Sequence, residues 1–382
     1  MVAGEASGDL HGARLLTALQ SRVPGVRAFG LGGDEMSAAG FEGLAHSSEI
    51  AVVGIVEVLK ILKRARQIFD SLLDAVEARG VKWAVLIDSP DFNLRLAKQL
   101  RRRGVKVIYY ISPQVWAWRK RRIHAIARDV DLMLCLFPFE VDFYQSHGVD
   151  VRHVGHPLVD EIPALPQAWD AVPAGEVPET PRIALLPGSR RSEIHSLLPW
   201  MLQAVRQLVA LRGSAVDCRL IQAPNIPDEL FDGLIADSGL EAGGVTVERI
   251  RSDRLPAIAE NHLALCASGT ATLEVALLGT PMLVMYRLKP TSYWLGRLLV
   301  DLPYFCMVNL VLDRGVVPEH LQHEARPAIM AKAAHDLLSS AEAVARMRAG
   351  LADLRPALGA SGASERAADA VAERLTGGGR SS

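Results

Sequence analysis

Two short segments pair glycine and hydroxyl residues with charged ones, a pattern typical of phosphate binding. The first, LPGSR, covers residues 186–190, and the second, ASGTATLE, covers residues 267–274. Each follows an apolar run that predicts a buried strand and precedes a helical pattern. The unpaired amides and the positive dipole end of a helix attract anions at such a turn, and glycine lets a phosphate approach the backbone. Two such turns predict a site for a nucleotide with a diphosphate.

Charged side chains accompany both turns. Arg190 supplies a fixed fork of donors that matches phosphate geometry. Glu274 lies one helical turn beyond the second turn, where its carboxylate can accept hydrogen bonds from two ribose hydroxyls; a solvated helix residue is the ordinary alternative. The residues predicted to bind the nucleotide are Gly188, Ser189, Arg190, Ser268, Gly269, Thr270 and Glu274.

An aspartate follows another predicted strand, in the first half of the chain. The run WAVLI at 83–87 predicts a buried strand, and Asp88 comes directly after it. A carboxylate at a strand end can act as a general base for a hydroxyl nucleophile. The simpler alternative is a helix-capping aspartate, a role that Asp91 fits better because it directly precedes the predicted helix. Gln114 and Trp116 follow the next strand, where they either pack a sugar ring or an acyl chain or belong to the core.

The composition is that of an ordinary globular protein. Of 382 residues, 49% are hydrophobic and 22% are charged, and the four cysteines are widely spaced, which favours reduced, buried thiols. At roughly 150 residues per domain, this length predicts two domains. No apolar stretch reaches the roughly 18 residues that a membrane span needs.

Basic residues concentrate in the first half of the chain, although the net charge is only −1. Residues 58–122 contain 16 Lys and Arg against five acidic residues. Solvated helix faces are the ordinary explanation, and attraction to anionic lipid headgroups or to a phosphorylated substrate is the alternative. Because the excess is local and no nucleic-acid motif accompanies it, we expect no nucleic-acid partner.

The adjoining stretch GIVEVLKILK, residues 54–63, is apolar around most of a helical wheel. Such a helix is either buried or lies in a membrane interface with its lysines directed outward. The predicted membrane-contact residues are Ile55, Val58, Leu59, Leu62, Lys63 and Arg64.

Short β-branched or leucine-rich runs alternate with helical patterns along the chain. This alternation predicts an α/β protein with two Rossmann-like, doubly wound domains that face a cleft. The expected domains are residues 1–165 and 182–355, joined by a proline-rich linker, and residues 356–382 form a C-terminal helix and tail. The segment GEASGD at 4–9 looks like a third strand-to-helix turn, but only three residues precede it. We therefore expect a truncated first strand, through a misplaced start or a shortened chain.

Together, these segments resemble the lipid-A-disaccharide synthases, glycosyltransferase family 19, nearly from end to end. Any one match is weak, but their order along the chain is highly specific. The matching segments are AGEASGD (3–9), GIVEVL (54–59), DSPDFN (88–93), SPQVWAWR (112–119), FPFE (137–140), GHPL (155–158), LLPGSR (185–190), ASGTATLE (267–274), VNL (308–310) and VPE (317–319).

The resemblance implies an inverting glycosyltransferase of the GT-B fold that uses neither a metal ion nor a cofactor. The donor would be UDP-2,3-diacylglucosamine, the acceptor 2,3-diacylglucosamine 1-phosphate, and the products the β-1,6-linked disaccharide 1-phosphate and UDP. By motif position, Asp88 would be the base and Arg190 would stabilise the departing diphosphate. Asn309 would contact the nucleotide.

The resemblance also assigns each half of the chain to one substrate. Residues 1–165 would face the acceptor and the membrane, residues 182–355 would bind the UDP-sugar, and the C-terminal helix would pack back on the first domain. The expected acceptor-side residues are Glu5, Ser7, Gln114 and Trp116. A cytoplasmic protein, peripheral on the cytoplasmic face of the inner membrane, follows. Acyl-chain length and oligomeric state, a homodimer included, stay open.

Three other functions remain to be separated from this one. A UDP-N-acetylglucosamine 2-epimerase has the same architecture and nucleotide turns but needs no acyl groove. A dehydrogenase is suggested only by the GLGG cluster at 30–33, which lacks the full dinucleotide fingerprint. A non-catalytic, membrane-associated nucleotide-sugar-binding protein would explain the basic and apolar region but would leave both phosphate turns without a reaction.

Overall fold

The computed structural model describes two compact units. The described residues are 1–50, 58–117, 120–173, 175–223, 226–240, 245, 247–287 and 303–377, without the side chains of 58–62 and 120. The first unit consists of Met1–Asp160 and Leu358–Ser382, and the second of Glu161–Ala357. Each unit is an α/β layer structure with its own parallel sheet.

The sheet of the first unit has the strand order β3-β2-β1-β4-β5-β6-β7, and all of its paired strands are parallel. Its strands are β1 (Val2–Ala3), β2 (Phe29–Gly32), β3 (Glu42–His46), β4 (Trp83–Ile87), β5 (Lys106–Tyr110), β6 (Leu132–Cys135) and β7 (Val151–His153). Its helices are α1 (Ala6–Arg22), α2 (Asp34–Ala38), α3 (Val58–Ala78), α4 (Pro90–Arg102), α5 (Ile123–Asp129) and α6 (Phe139–Gln145); α7 (Leu158–Glu161) lies at the boundary of the units.

The sheet of the second unit has the order β10-β9-β8-β11-β12-β13, again with parallel pairs. Its strands are β8 (Arg182–Leu186), β9 (Asp217–Ile221), β10 (Val247–Ile250), β11 (Leu263–Ala267), β12 (Met282–Tyr286) and β13 (Glu319–Leu321). Its helices are α8 (Arg191–Arg212), α9 (Asp228–Ser238), α10 (Arg254–Ala259), α11 (Thr270–Leu277), α12 (Met307–Leu312), α13 (Pro327–Leu338), α14 (Ala341–Ala352) and α15 (Leu354–Ala357).

The central strands form because their apolar runs are covered on both faces. Residues 107–110 of β5 and 263–267 of β11 are all buried, as expected for parallel strands between two helical layers. Helices reach these sheets with one apolar face each, as in α4, where Leu96, Ala97 and Leu100 are buried. Parallel order places the carboxyl ends of the strands at one edge of each sheet, where ligands of open α/β sheets bind.

The proline-rich stretch predicted as a linker is part of the second unit. Trp169 is buried there, and its indole Nε1 donates to the carbonyl of His262 at 2.8 Å. Asp170 accepts a bond from Arg348 at 2.8 Å. The contacts of Trp169 and Asp170 therefore attach this segment to the second unit.

The chain returns to the first unit with a last helix, α16 (Ala363–Leu375), which packs against α1. Arg22 at the end of α1 donates to Asp369 at 2.5 Å and lies 2.6 Å from Glu365. Arg366 donates to the carbonyl of Val154 at 2.8 Å. No helix among the described residues is long and apolar enough to span a bilayer.

Asp9 joins α1 to the start of α2. It is buried, and its carboxylate accepts the backbone amides of Gly33, Glu35 and Met36 at 2.6, 3.0 and 3.2 Å. These amides open a helix and have no partner within it, so the carboxylate of another helix caps them. A Cβ at position 33 would lie 2.6 Å from Asp9 Oδ2, which explains the glycine.

We predict that Asp9→Ala lowers the free energy of unfolding by about 2–4 kcal/mol, because buried amides would lose a charged acceptor. Urea denaturation measures this change. The control is Glu35→Ala, which truncates an exposed carboxylate of α2 and should change stability by less than about 0.5 kcal/mol. Equal effects of the two substitutions would contradict a capping role for Asp9.

Candidate functional site

Asp88 lies where β4 ends, at the carboxyl edge of the first sheet. Its backbone amide donates to the carbonyl of Tyr110 at 3.0 Å. Asp88, Ser89 and Ile111 have φ values of 47°, 45° and 68°, the left-handed region that non-glycine residues seldom occupy. Such conformations persist only where the surroundings enforce them, and they concentrate at functional sites.

Two side chains hold this turn. Asn93 is fully buried, and its Nδ2 donates to the carbonyls of Ile87 and Asp88 at 3.0 and 2.8 Å. The hydroxyl of Tyr109 donates to the Asp88 carbonyl at 2.6 Å. These bonds therefore fix the backbone of Asp88 without using its carboxyl group, which remains available for chemistry.

The surroundings of Asp88 disfavour its charged form. Its pKa is raised from 3.8 to about 6: burial is the largest cause, the negative charge of Glu5 adds to the rise, and the amide of Ser89 opposes it. Position and pKa suit a general base near neutral pH. Asp91 is not the N-cap that the sequence predicted: helix α4 begins at Pro90 with Ser89 as its N-cap, and Asp91 lies in the first turn, where it pairs with Arg122.

The predicted acceptor-side residues differ in exposure. Glu5 is the exposed N-cap residue of α1, Ser7 is exposed in its first turn, and Gln114 is exposed after β5. Trp116 is only 8% exposed, its Nε1 donates to Glu140 at 2.9 Å, and its ring packs edge-on against Phe139. The sequence left open whether Trp116 packs a substrate or belongs to the core, and its contacts in this structure are those of a core residue.

Glu140 is a buried carboxylate that the sequence did not single out. It accepts bonds from the hydroxyl of Ser112 at 2.5 Å, from Trp116 and from the amide of Phe137 at 3.1 Å. Burial raises its pKa from 4.5 to about 7, against these hydrogen bonds. The only sequence signal was an acidic residue next to three apolar ones in FPFE. Its bonds fix the loop that carries Gln114.

The predicted membrane-contact residues are only partly described. Ile55 lies outside the described residues, and of Val58, Leu59 and Leu62 the backbone alone is described, as the first turns of α3. Lys63 is exposed. Arg64 is bonded to Glu49 at 2.7 Å.

The first phosphate-type turn, by which we mean the predicted phosphate-binding segment 186–190, connects β8 to α8. Gly188 has φ 110°, and a Cβ there would lie 2.5 Å from Glu193 Oε2. The amides of Ser189 and Arg190 donate to that oxygen at 3.2 and 3.3 Å, and Arg190 Nη1 donates to Glu193 Oε1 at 2.7 Å. The turn therefore binds a carboxylate of its own chain. The Arg190 side chain is 77% exposed.

The second turn leaves the same edge of the sheet. Strands β8 and β11 are neighbours with Leu186 opposite Cys266, so both turns emerge side by side. Ser268 Oγ donates to the carbonyl of Phe305 at 3.1 Å, Gly269 is the N-cap of α11, and Thr270 is its exposed first residue. Both turns belong to the second unit.

Glu274 is the last residue of the second segment and lies within α11, one helical turn beyond residues 268–270. Burial raises the pKa of its carboxyl, the positive charge of Arg254 opposes this, and the negative charge of Glu161 adds to it. Arg254 Nη2 lies 3.3 Å from Glu274 Oε2. The carboxylate is thus oriented by an arginine rather than free in solvent.

Asn309 is committed to the loop that follows α12. Its Nδ2 donates to the carbonyl of Val317 at 2.8 Å and to Glu319 at 2.7 Å, and its Oδ1 accepts the amides of Val316 and Val317 at 2.8 and 3.0 Å. A nucleotide contact would have to replace one of these bonds, and it stays a prediction. Within the described ranges, no three His, Cys, Asp or Glu side chains are grouped so that they could hold a metal ion.

Two α/β units, each with its own parallel sheet and with glycine-containing turns at strand ends, have the GT-B fold of known glycosyltransferases. The chain belongs to the lipid-A-disaccharide synthetase family, whose model matches residues 1–373. The lipid-A-disaccharide synthase of Myxococcus xanthus is 42% identical over 378 residues, 98% of this chain and 97% of that protein. The resemblance drawn from the motifs is confirmed.

Solved structures with the same fold are far less similar in sequence. The S. aureus MnaA–UDP structure has a TM-score of 0.63 at 12% identity and covers 98% of this chain and 96% of its own. The calicheamicin glycosyltransferase CalG4 has a TM-score of 0.55 at 16% identity and covers 97% of this chain and 96% of its own. At these identities the similarity confirms the predicted fold class and leaves function to the family match.

We predict that Glu5→Gln lowers the pKa of Asp88 from about 6, because the substitution removes the negative charge that opposes its ionisation. The pKa should stay above 3.8, since burial persists. A carbon-13 NMR titration of the aspartate carboxyl groups measures it. Asp34→Asn removes an exposed carboxylate that does not act on Asp88 and serves as the control. An unchanged Asp88 titration in Glu5→Gln would show that burial alone sets the pKa.

Proposed function

We propose that this chain transfers 2,3-diacylglucosamine from UDP-2,3-diacylglucosamine to the 6-hydroxyl of 2,3-diacylglucosamine 1-phosphate. The products are the β-1,6-linked lipid A disaccharide 1-phosphate and UDP. The observation that carries this proposal is the family match across residues 1–373. The 42% identity to the lipid-A-disaccharide synthase of Myxococcus xanthus supports it. The 2-epimerase, dehydrogenase and non-catalytic alternatives have no comparable support.

Asp88 is the base in this proposal. Inversion requires that the acceptor hydroxyl attack the anomeric carbon opposite the departing UDP, and its proton must leave as the bond forms. A carboxyl group with a pKa of about 6 is ionised at pH 7 yet basic enough to accept that proton. The strained turn and the bonds to its carbonyl hold the backbone from which the carboxyl group extends.

The second unit binds the departing diphosphate. The amides around Gly188 and Ser189, the guanidinium of Arg190 and the turn at 268–270 supply positive charge where negative charge develops. Fixed donors of this kind lower a barrier because they need no reorganisation during the reaction. The carboxylate of Glu274, oriented by Arg254, accepts hydrogen bonds from the ribose hydroxyls.

The substrates give the basic first half a role. Both sugars carry acyl chains, and the acceptor is a phosphate monoester, so both are drawn from a membrane. We place the enzyme on the cytoplasmic face of the inner membrane as a peripheral protein, with the exposed Lys63 and its basic neighbours towards anionic lipid. Each such residue near the surface contributes about 1 kcal/mol.

The reaction is tested by incubating the protein with both acylated sugars and following UDP release and disaccharide formation. Asp88→Asn should lower turnover by about 10²- to 10⁴-fold, because the proton loses its acceptor, and should leave UDP affinity nearly unchanged. Turnover of the unsubstituted enzyme should fall as the pH drops below about 6, where Asp88 becomes protonated.

The control for this experiment is Asp34→Asn, the same change at an exposed carboxylate, which should retain full activity. An intact fold that forms no disaccharide would overturn the proposed function. Full turnover in Asp88→Asn would overturn only the choice of base.

Two adjacent arginines test the diphosphate site. Arg190→Ala should weaken UDP binding by roughly 10- to 100-fold, since a hydrogen bond to a charged group contributes about 1.5–3 kcal/mol. Arg191→Ala removes an equal charge from an exposed position one residue further on and should change affinity less than about threefold. Isothermal titration calorimetry with UDP measures both. Equal losses would mean that Arg190 acts by general charge rather than by a direct bond.

A further inference from the structure

Glu193 already occupies the donors of the first phosphate-type turn. It is the third residue of α8, and its Oε2 accepts the amides of Ser189 and Arg190 at 3.2 and 3.3 Å. Its Oε1 accepts a bond from Arg190 Nη1 at 2.7 Å. These amides and this guanidinium are the groups that the proposed function assigns to the diphosphate.

The neighbouring residues fit the carboxylate closely. Gly188 has a left-handed φ of 110°, and a Cβ there would lie 2.5 Å from Glu193 Oε2 and 3.0 Å from its Cβ. The charges of Glu193 and Arg190 also act on Tyr286, the last residue of β12. Burial raises the pKa of Tyr286, Glu193 adds to the rise, and Arg190 opposes it. The carboxylate therefore lies over the turn, at the carboxyl edge of the sheet.

The bonds to Glu193 are also replaceable. The two amide bonds are at the long end of the normal range, and the glutamate side chain is 34% exposed, so solvent and a ligand can reach it. A phosphate oxygen that takes these amides must displace the carboxylate, because two anions cannot share one set of donors without strong repulsion.

We propose that Glu193 is an internal competitor of the nucleotide diphosphate. It leaves the turn when the donor binds and returns to it when UDP departs. This inference rests on the proposed function, since it needs a diphosphate at the turn. The competitor weakens the binding of UDP in exchange for faster release of this product, and it keeps Arg190 oriented between turnovers.

The test is Glu193→Gln, which removes the charge but keeps a residue type that can complete a helix capping box. UDP affinity, measured by calorimetry, should rise about tenfold, and inhibition by the product UDP should strengthen by a similar factor. Glu193→Ala, which removes the carboxylate entirely, should move affinity in the same direction. Unfolding curves of both variants establish that the fold is intact, and either variant alone suffices for the test.

The matched control is Glu229→Gln, the same charge change in the first turn of α9 in the same unit. It should leave UDP affinity unchanged, which excludes a general effect of net charge. Unchanged or weaker UDP binding in the folded Glu193 variants would overturn the competitor role. Failure of the unsubstituted enzyme to bind UDP at millimolar concentration would instead overturn the diphosphate site, and with it the proposed function.

Discussion

The carbonyl oxygen of Asp88 accepts two hydrogen bonds, and the site of the first unit depends on them. Asn93 reaches it from the first turn of α4, and Tyr109 reaches it from the neighbouring strand β5. Together they hold a left-handed turn that an aspartate would otherwise avoid, at a cost of about 1–3 kcal/mol per strained residue. The surrounding fold supplies this energy, and the backbone that carries the carboxyl group is held in one conformation.

The two units handle charge in opposite ways. In the first, burial and the neighbouring carboxylate of Glu5 raise the pKa of Asp88, and the higher pKa makes its carboxylate a better proton acceptor. In the second, two turns leave adjacent strand ends, and the amides and the guanidinium of the first turn donate to the carboxylate of Glu193. Parallel strand order produces both arrangements, because it brings every strand-to-helix turn of a unit to one edge.

Local pattern was sufficient for the strand ends and insufficient for the contacts between distant segments. The apolar runs before Asp88, Gly188 and Ser268 located three turns correctly, since a buried strand must end before polar residues begin. The partners of Asp9 and Asn93 lie on other elements, and no periodicity reveals them. The contact of Trp169 is of the same kind, because its indole donates to a carbonyl 93 residues away.

The return of α16 to the first unit has a consequence for how the chain is made. Asp369, which meets α1 through Arg22, lies 347 residues downstream, so it leaves the ribosome after the entire second unit. One face of α1 therefore lacks its partner helix while the second unit is synthesised. The second unit is a continuous segment and can fold during this time. The synthesis of the first unit begins before that of the second unit, but its last helix is made after the second unit is complete.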